Sequence, residues 1–260
     1  MLNVQFGQLR NNLTEVAPSG ELVPELAESW EGSNGAKTWN FKIRQGVEFH
    51  NGKSLTAEDV VDSLNHHLGE ESKSAAKGQL GAVTSVKADG KYGVVVELSG
   101  GDADFPFILT DYHLLICPSN GDGTIDWQSG TGTGGFTLVE HEPGVRTLTK
   151  ANPNYWKPNR RFFDEVETLQ IADSAAREAA LRTGELDAMN NVSAKTADLL
   201  KRQPGIVVDA TKGNKQITLP MLTNVAPFDN NDVRTAMKYI VDREQWLKVV
   251  ARGYGELGND

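Results

Sequence analysis

The nearest approach to an acid–base pair in this sequence is Glu25 and Glu28, separated by Leu26-Ala27. Three apart on a helical turn, they read as solvated surface carboxylates rather than catalysts. His66 and His67 adjoin, and on a helix neighbouring side chains diverge by about 100°, so the two cannot chelate one ion. His50 and His141 stand alone, with no His-x3-His or His-Glu-x-x-His spacing anywhere, and no metal site is expected. Nor is there a Gly-x-Ser-x-Gly nucleophile elbow. Cys117 closes the apolar run Leu114–Cys117, which suits a packed thiol. As the only cysteine it excludes an intrachain disulfide and any multi-cysteine metal site. The run Gly130–Gly135 has the glycine content of a phosphate loop. It lacks the Gly-Lys-Ser/Thr ending and precedes a strand, so no helix dipole serves it. Trp30, Trp39 and Phe41 are not interleaved with basic clusters, which removes a stacking platform for nucleic acid and leaves them as core. No cofactor is expected.

The frame around these residues is acidic. The chain has 260 residues, and 26 Lys and Arg against 35 Asp and Glu give a net charge of −9, which disfavours phosphate backbones and anionic membranes as partners. A hydrophobic content of 38% with 23% charged residues is ordinary globular composition, enough for one large unit or two smaller ones. No apolar run approaches the roughly 20 residues of a membrane span, and residue 1 onward lacks the basic-then-apolar pattern of a signal peptide. An acidic chain of this size without a catalytic constellation fits a binding protein better than an enzyme.

Strands and helices follow from periodicity. Thr38–Arg44 alternates Trp39, Phe41 and Ile43 with polar residues, the period of a half-buried strand. Thr56 sits at an N-cap, Glu58 and Asp59 favour the first turn, and Val60, Leu64 and Leu68 make one stripe, so Ala57–Leu68 is a helix. Val83–Lys87 and Tyr92–Leu98 flank Asp89-Gly90 as a hairpin, and Phe136–Glu140 with Arg146–Lys150 flank Pro143-Gly144 as a second. The glycine-rich stretch Gly121–Gly135 between them is either a domain junction or a loop that lets backbone approach a ligand. Next come a strand Val166–Ile171, a helix Ser174–Thr183 stopped by Gly184, and a short strand Leu186–Met189. A helix capped by Ser193 then runs to about Arg202, followed by strands Ile206–Val208 and Ile217–Leu222. Val233, Ala236, Met237, Ile240 and Val241 form a helical stripe, and Asp242 with Gln245 restarts a second helix. The order is α+β giving way to α/β. The chain opens on Met1-Leu2-Asn3-Val4 without a cap and ends at Asp260 just after a helix, so it reads as a fragment.

Six segments in order carry a family likeness: LVPELAESWE at Leu22–Glu31, WNFKIRQGVEFHNGKSLTAEDVVDSL at Trp39–Leu64, GTGGF at Gly132–Phe136, NPNYWK at Asn152–Lys157, REAALRTGELDA at Arg177–Ala188 and PFDNNDVRTAMKYIVDRE at Pro227–Glu244. Over nearly the whole chain this resembles the family 5 extracellular solute-binding proteins, the peptide, dipeptide and nickel receptors of ABC importers. The resemblance implies a mixed α/β fold: a periplasmic-binding-protein-like type II lobe with an added α+β subdomain, the second lobe largely missing. Residues 1–20 and 131–223 would be the scaffold of the first lobe, 21–130 the inserted subdomain, and 224–260 the crossover and truncated start of the second.

The implied function is capture of a peptide or similar small solute in an interlobe cleft for delivery to an ABC permease in the membrane, from a periplasmic or extracellular location. Nucleic acid is not an expected partner. Asn190 and Asn191 match a segment lining the family's cleft and suit main-chain amides, though they serve equally as a turn after a strand. Asn11, Asn12 and Leu13 match another cleft segment, where the sequence departs from the commoner acidic-then-glycine pattern. Leu219 and Met221 lie on the strand entering the hinge. Charged ligand termini in relatives are often held from the second lobe. The 229–250 stripe, lacking that lobe, is expected to self-associate or fold back. The alternatives are a signalling lobe built on the same fold and a hydrolase using Glu25 or Glu28.

Overall fold

In a computed structural model of the chain, the described residues are residue 4, residues 7–210 and residues 217–258. They divide into two compact units, residues 1–170 and 171–260.

The first unit is built on antiparallel sheets. Strands β1 (Thr14–Val16) and β2 (Leu22–Pro24) pair as a short ribbon. β3 (Ala27–Ser33), β4 (Thr38–Ile43), β5 (Val83–Ala88) and β6 (Gly93–Leu98) form a sheet in the order β3-β4-β6-β5. The alternation read from the sequence is realised on β4, where Trp39, Phe41 and Ile43 are buried and Asn40 and Lys42 are exposed. On the neighbouring β6, Val94, Val96 and Leu98 face the same core. Helix α1 (Ala57–Leu68) closes that core with Val60 and Leu64, and Trp30 packs at its margin. Each large side chain so covered contributes on the order of 1.5–3 kcal/mol. Phe41 also meets Phe105 edge-on, at 6.4 Å between centroids, from a one-turn helix α2 (Phe105–Ile108).

The start of α1 is anchored more deeply than a surface cap. Asp59 is fully buried, and its Oδ2 accepts from the Thr56 N–H at 2.9 Å and the Thr56 hydroxyl at 3.1 Å. Its Oδ1 accepts from the Ser119 N–H at 2.8 Å and from Lys53 Nζ at 2.6 Å. One carboxylate thus satisfies the helix end and ties down the strand-like segment after Cys117. A third sheet, β7 (Phe136–Glu142), β8 (Arg146–Ala151) and β9 (Glu165–Leu169), completes the unit.

Among the described residues of the second unit, four helices begin at side-chain caps: α3 (Ser174–Thr183) at Asp173, α4 (Ala194–Lys201) at Ser193, α5 (Asn231–Ile240) at Asn230 and α6 (Arg243–Val249) at Asp242. Gly184 ends α3 with φ 79°, the left-handed value a glycine takes without strain. Ala180, Ala197 and Leu200 are the buried apolar residues among those described there. On α5 no residue is buried, and Ile240 is 74% exposed.

Two expectations are corrected. Leu186–Met189, Ile206–Val208 and Ile217–Leu222 form no strand, because a strand needs a hydrogen-bonded neighbour and none pairs with them among the described residues. Glu25 and Glu28 do not share a helical turn: Glu28 lies on β3, ion-paired to Lys42, and Glu25 precedes that strand, buried.

Candidate functional site

A cleft of about 420 Å³ opens in the first unit, lined by Gly7, by residues 10–12 and 14–16, by Glu25 and Thr110, and by Tyr155, Lys157, Arg160 and Phe162 from the connection between β8 and β9. Its chemistry centres on Glu25. Oε1 accepts from Lys157 Nζ at 2.7 Å and from Asn11 Nδ2 at 2.8 Å, and Oε2 accepts from the Asn12 N–H at 3.1 Å. Lys157 Nζ donates equally to Glu15 Oε2, also at 2.7 Å. Arg160 stands 3.6 Å from the other oxygen of Glu15. The alkyl stem of Lys157 brings its ammonium 5.1 Å from the Trp156 ring centre, and Arg44 covers that ring from 4.9 Å.

Burial raises the Glu25 carboxyl above its ordinary pKa, and Lys157 and the Asn11 amide only partly oppose it. Burial also pulls on Lys157, but the facing carboxylates outweigh it and hold the ammonium above the usual lysine value. Tyr155, with its hydroxyl 3.4 Å from Asn11 Nδ2, is pushed up by desolvation.

The glycine-rich stretch finds its use here. The backbone it approaches is the chain's own: the Gly134 N–H donates to Leu9 O at 2.9 Å and the Phe136 N–H to Gln8 O at 3.0 Å. A Cβ at Gly132 would sit 2.0 Å from Leu9 O, and one at Gly134 2.1 Å from Gln8 O, so only glycine fits. His50 locks the same loop. Its Nδ1 accepts from the Gly132 N–H at 3.2 Å, so Nε2 carries the proton donated to Gly134 O at 3.0 Å. The ring is neutral, its pKa depressed by burial.

Of the residues singled out from sequence, Asn11 and Asn12 line this cleft, but their side chains are engaged internally. Asn11 Oδ1 accepts from Thr133 Oγ1 at 2.9 Å, and Asn12 Nδ2 donates to the carbonyls of Leu109, Asp111 and Leu114. Leu13 is core. Asn190, Asn191, Leu219 and Met221 belong to the second unit. Asn190 and Asn191 are exposed, Asn191 with φ 54°, a conformation asparagine tolerates. Leu219 is exposed and Met221 half-buried. Sequence reasoning missed Glu15, Glu25, Tyr155, Lys157 and Arg160 as cleft residues. The Asn152–Lys157 motif contains two of them, Tyr155 and Lys157, but no spacing rule joins position 25 to position 157.

Solved structures share the fold. AgaA from Agrobacterium tumefaciens R10, in complex with agropinic acid, superposes with a TM-score of 0.81 at 26% identity, over 97% of this chain and 51% of that one. AppA from Bacillus subtilis, in complex with a nonapeptide, gives 0.78 at 27% identity, over 97% and 51%. The mixed α/β architecture is therefore periplasmic-binding-protein-like. Residues 21–260 match the bacterial extracellular solute-binding proteins, family 5 Middle, and the chain belongs to that family. Among characterised relatives, heme-binding protein A of Haemophilus influenzae is 28% identical over 97% of this chain and 51% of its own length. Di/tripeptide-binding protein 1 of Pseudomonas aeruginosa is 25% identical over 96% and 51%. The chain spans about half the length of the curated relatives it matches.

Proposed function

We propose that this chain serves in the substrate-binding component of an ABC importer, capturing a peptide or similar small solute outside the cytoplasmic membrane for delivery to a permease. The observation that carries the reading is the family match across residues 21–260. The relatives' names are its context: they bind heme, di- and tripeptides, oligopeptides and nickel. A cleft whose polar groups are held by internal hydrogen bonds supports it, because a preorganised site binds without first ordering its own side chains.

In this reading residues 1–20 and 131–223 scaffold one lobe, 21–130 are an insertion in it, and 224–260 lead into the second. Asn190 and Asn191 contribute amide contacts to ligand and Leu219 and Met221 apolar contact, while Asn11, Asn12 and Leu13 shape the wall, their carbonyls already accepting from the Ile116, Leu26 and Ala27 N–H groups. The 229–250 stripe, whose Val233 and Met237 are half-buried and whose Ala236 and Ile240 are exposed on α5, is a self-association surface. Hydrolysis through Glu25 draws no support, since the carboxylate is clamped by Lys157, Asn11 and Asn12.

Calorimetric titration with a panel of dipeptides, longer peptides, nickel–histidine and heme tests the reading. Saturable binding of a peptide is expected. No saturable binding by any member of the panel would sink it.

A further inference from the structure

Five charged side chains line the cleft of the first unit: Arg10, Lys157 and Arg160 against Glu15 and Glu25. Three cations face two carboxylates, a local positive balance in a chain whose net charge is −9. Both carboxylates are engaged by one lysine. Lys157 places its ammonium 2.7 Å from each, in the position that the cationic end of a solute would need. Arg10 is turned toward protein carbonyls, donating to Thr131 O and Trp127 O, each at 3.1 Å.

Arg160 is held differently. Its guanidinium is 3.6 Å from Glu15, beyond hydrogen-bond reach, and its side chain is 54% exposed. Glu15 keeps its hydrogen bond to Lys157 Nζ at 2.7 Å, shared with Glu25, so that carboxylate retains a partner when Arg160 turns away. Two apolar side chains lie open on the same cleft, Phe162 at 74% exposure and Val16 at 44%. An arginine fork beside exposed apolar surface matches a carboxylate attached to an apolar body.

Resting on the solute-binding reading, we propose that this cleft takes the carboxylate end of a peptide whose last side chain is apolar. Arg160 turns from Glu15 to grip the carboxylate, and Phe162 and Val16 cover the side chain. Lys157, by occupying Glu15 and Glu25, bars the ammonium end from the same place. Arg160 is the specificity-determining residue.

The test is calorimetric titration of the full chain with N-acetyl-Ala-Ala-Phe as its free acid and as its C-terminal amide. The acid is expected to bind about tenfold more tightly, the worth of one charge-assisted pair. Arg160→Gln should abolish the preference. Arg146→Gln, which removes the same charge from β8 where Arg146 pairs with Glu140 and Glu167, should keep it. Equal binding of acid and amide, or a preference that survives Arg160→Gln, overturns the inference while the solute-binding reading stands. So does failure of both forms when another solute of the panel binds. Inorganic phosphate competing as well as the peptide acid would also overturn it, by marking a bare anion site. Only the absence of binding by every solute removes both.

Discussion

Glu25 and Lys157, 132 positions apart in the chain, meet at 2.7 Å in the wall of the cleft. Around that contact Asn11, Asn12 and Glu15 complete the hydrogen bonding, so the buried Glu25 carboxylate and the Lys157 ammonium are satisfied from within. What remains outward-facing is Arg160 and a pair of apolar side chains.

Lys157→Met should destabilise the chain by roughly 3 kcal/mol at neutral pH, because it leaves Glu25 buried without its cation. In the native chain the contribution of Lys157 is complete below its ordinary pKa of 10.5 and is lost only as pH climbs through the raised value. In the variant Glu25 rises further, so stability falls as pH increases through its folded pKa, and acidification narrows the deficit. Urea unfolding at pH 5 and pH 8 measures this. Identical deficits would show that Glu25 is not the group left exposed to the penalty.

Asp59→Ala removes the acceptor of four donors at the head of α1. A loss of roughly 3 kcal/mol is expected, the lower end for a broken buried pair, since the Lys53 side chain stays 36% exposed and can rehydrate. Thermal unfolding reads it, and a change within error of zero would contradict the anchoring role.

Gly134→Ala should cost about 1–3 kcal/mol by forcing Gln8–Arg10 off the 132–136 segment. The obstructing atoms are backbone, with Gln8 O at 2.1 Å and Leu9 C at 2.5 Å from the new Cβ. Gly100→Ala, which meets nothing within 4 Å, is the control and should be near neutral.

His67 is held at a pKa of about 4 by burial and by the nearby His66 and His113. Its contribution to stability is present above the ordinary value of 6.5 and is lost as pH falls toward 4. The native chain should therefore weaken across that window, and His67→Gln should flatten the profile. Unchanged acid sensitivity in the variant would assign the effect elsewhere.

If the α5 stripe associates, amide protection over residues 233–241 should strengthen with protein concentration, and Ile240→Glu should reduce it. Hydrogen exchange at two concentrations decides this. Fast exchange at both would rule association out.

The elements legible in the sequence were those fixed by nearby residues. The alternation of β4, the Thr56 start of α1 and the caps at Ser193 and Asp242 need no distant partner. β3 was hidden because its two apolar residues, Ala27 and Trp30, lie three apart across a register shift at Ala27–Ser29, which breaks the two-residue period. Ile217–Leu222 shows the reverse error, an apolar run with strand composition but no paired neighbour. The cleft was the least legible part. Glu25 is indistinguishable from a surface carboxylate until Lys157 is placed beside it.

That separation also sets an order of assembly during synthesis. At about 5–20 residues per second, the ribosome needs roughly 7–26 s to travel from position 25 to position 157. Through that interval the β3–β6 sheet, complete by Leu98, can form while the Glu25 carboxylate still lacks its cation. The cleft is then closed by a segment that arrives after the core it rests on. A chain interrupted before Lys157 would hold a folded sheet and an unneutralised acid, a late checkpoint written into the spacing of two residues.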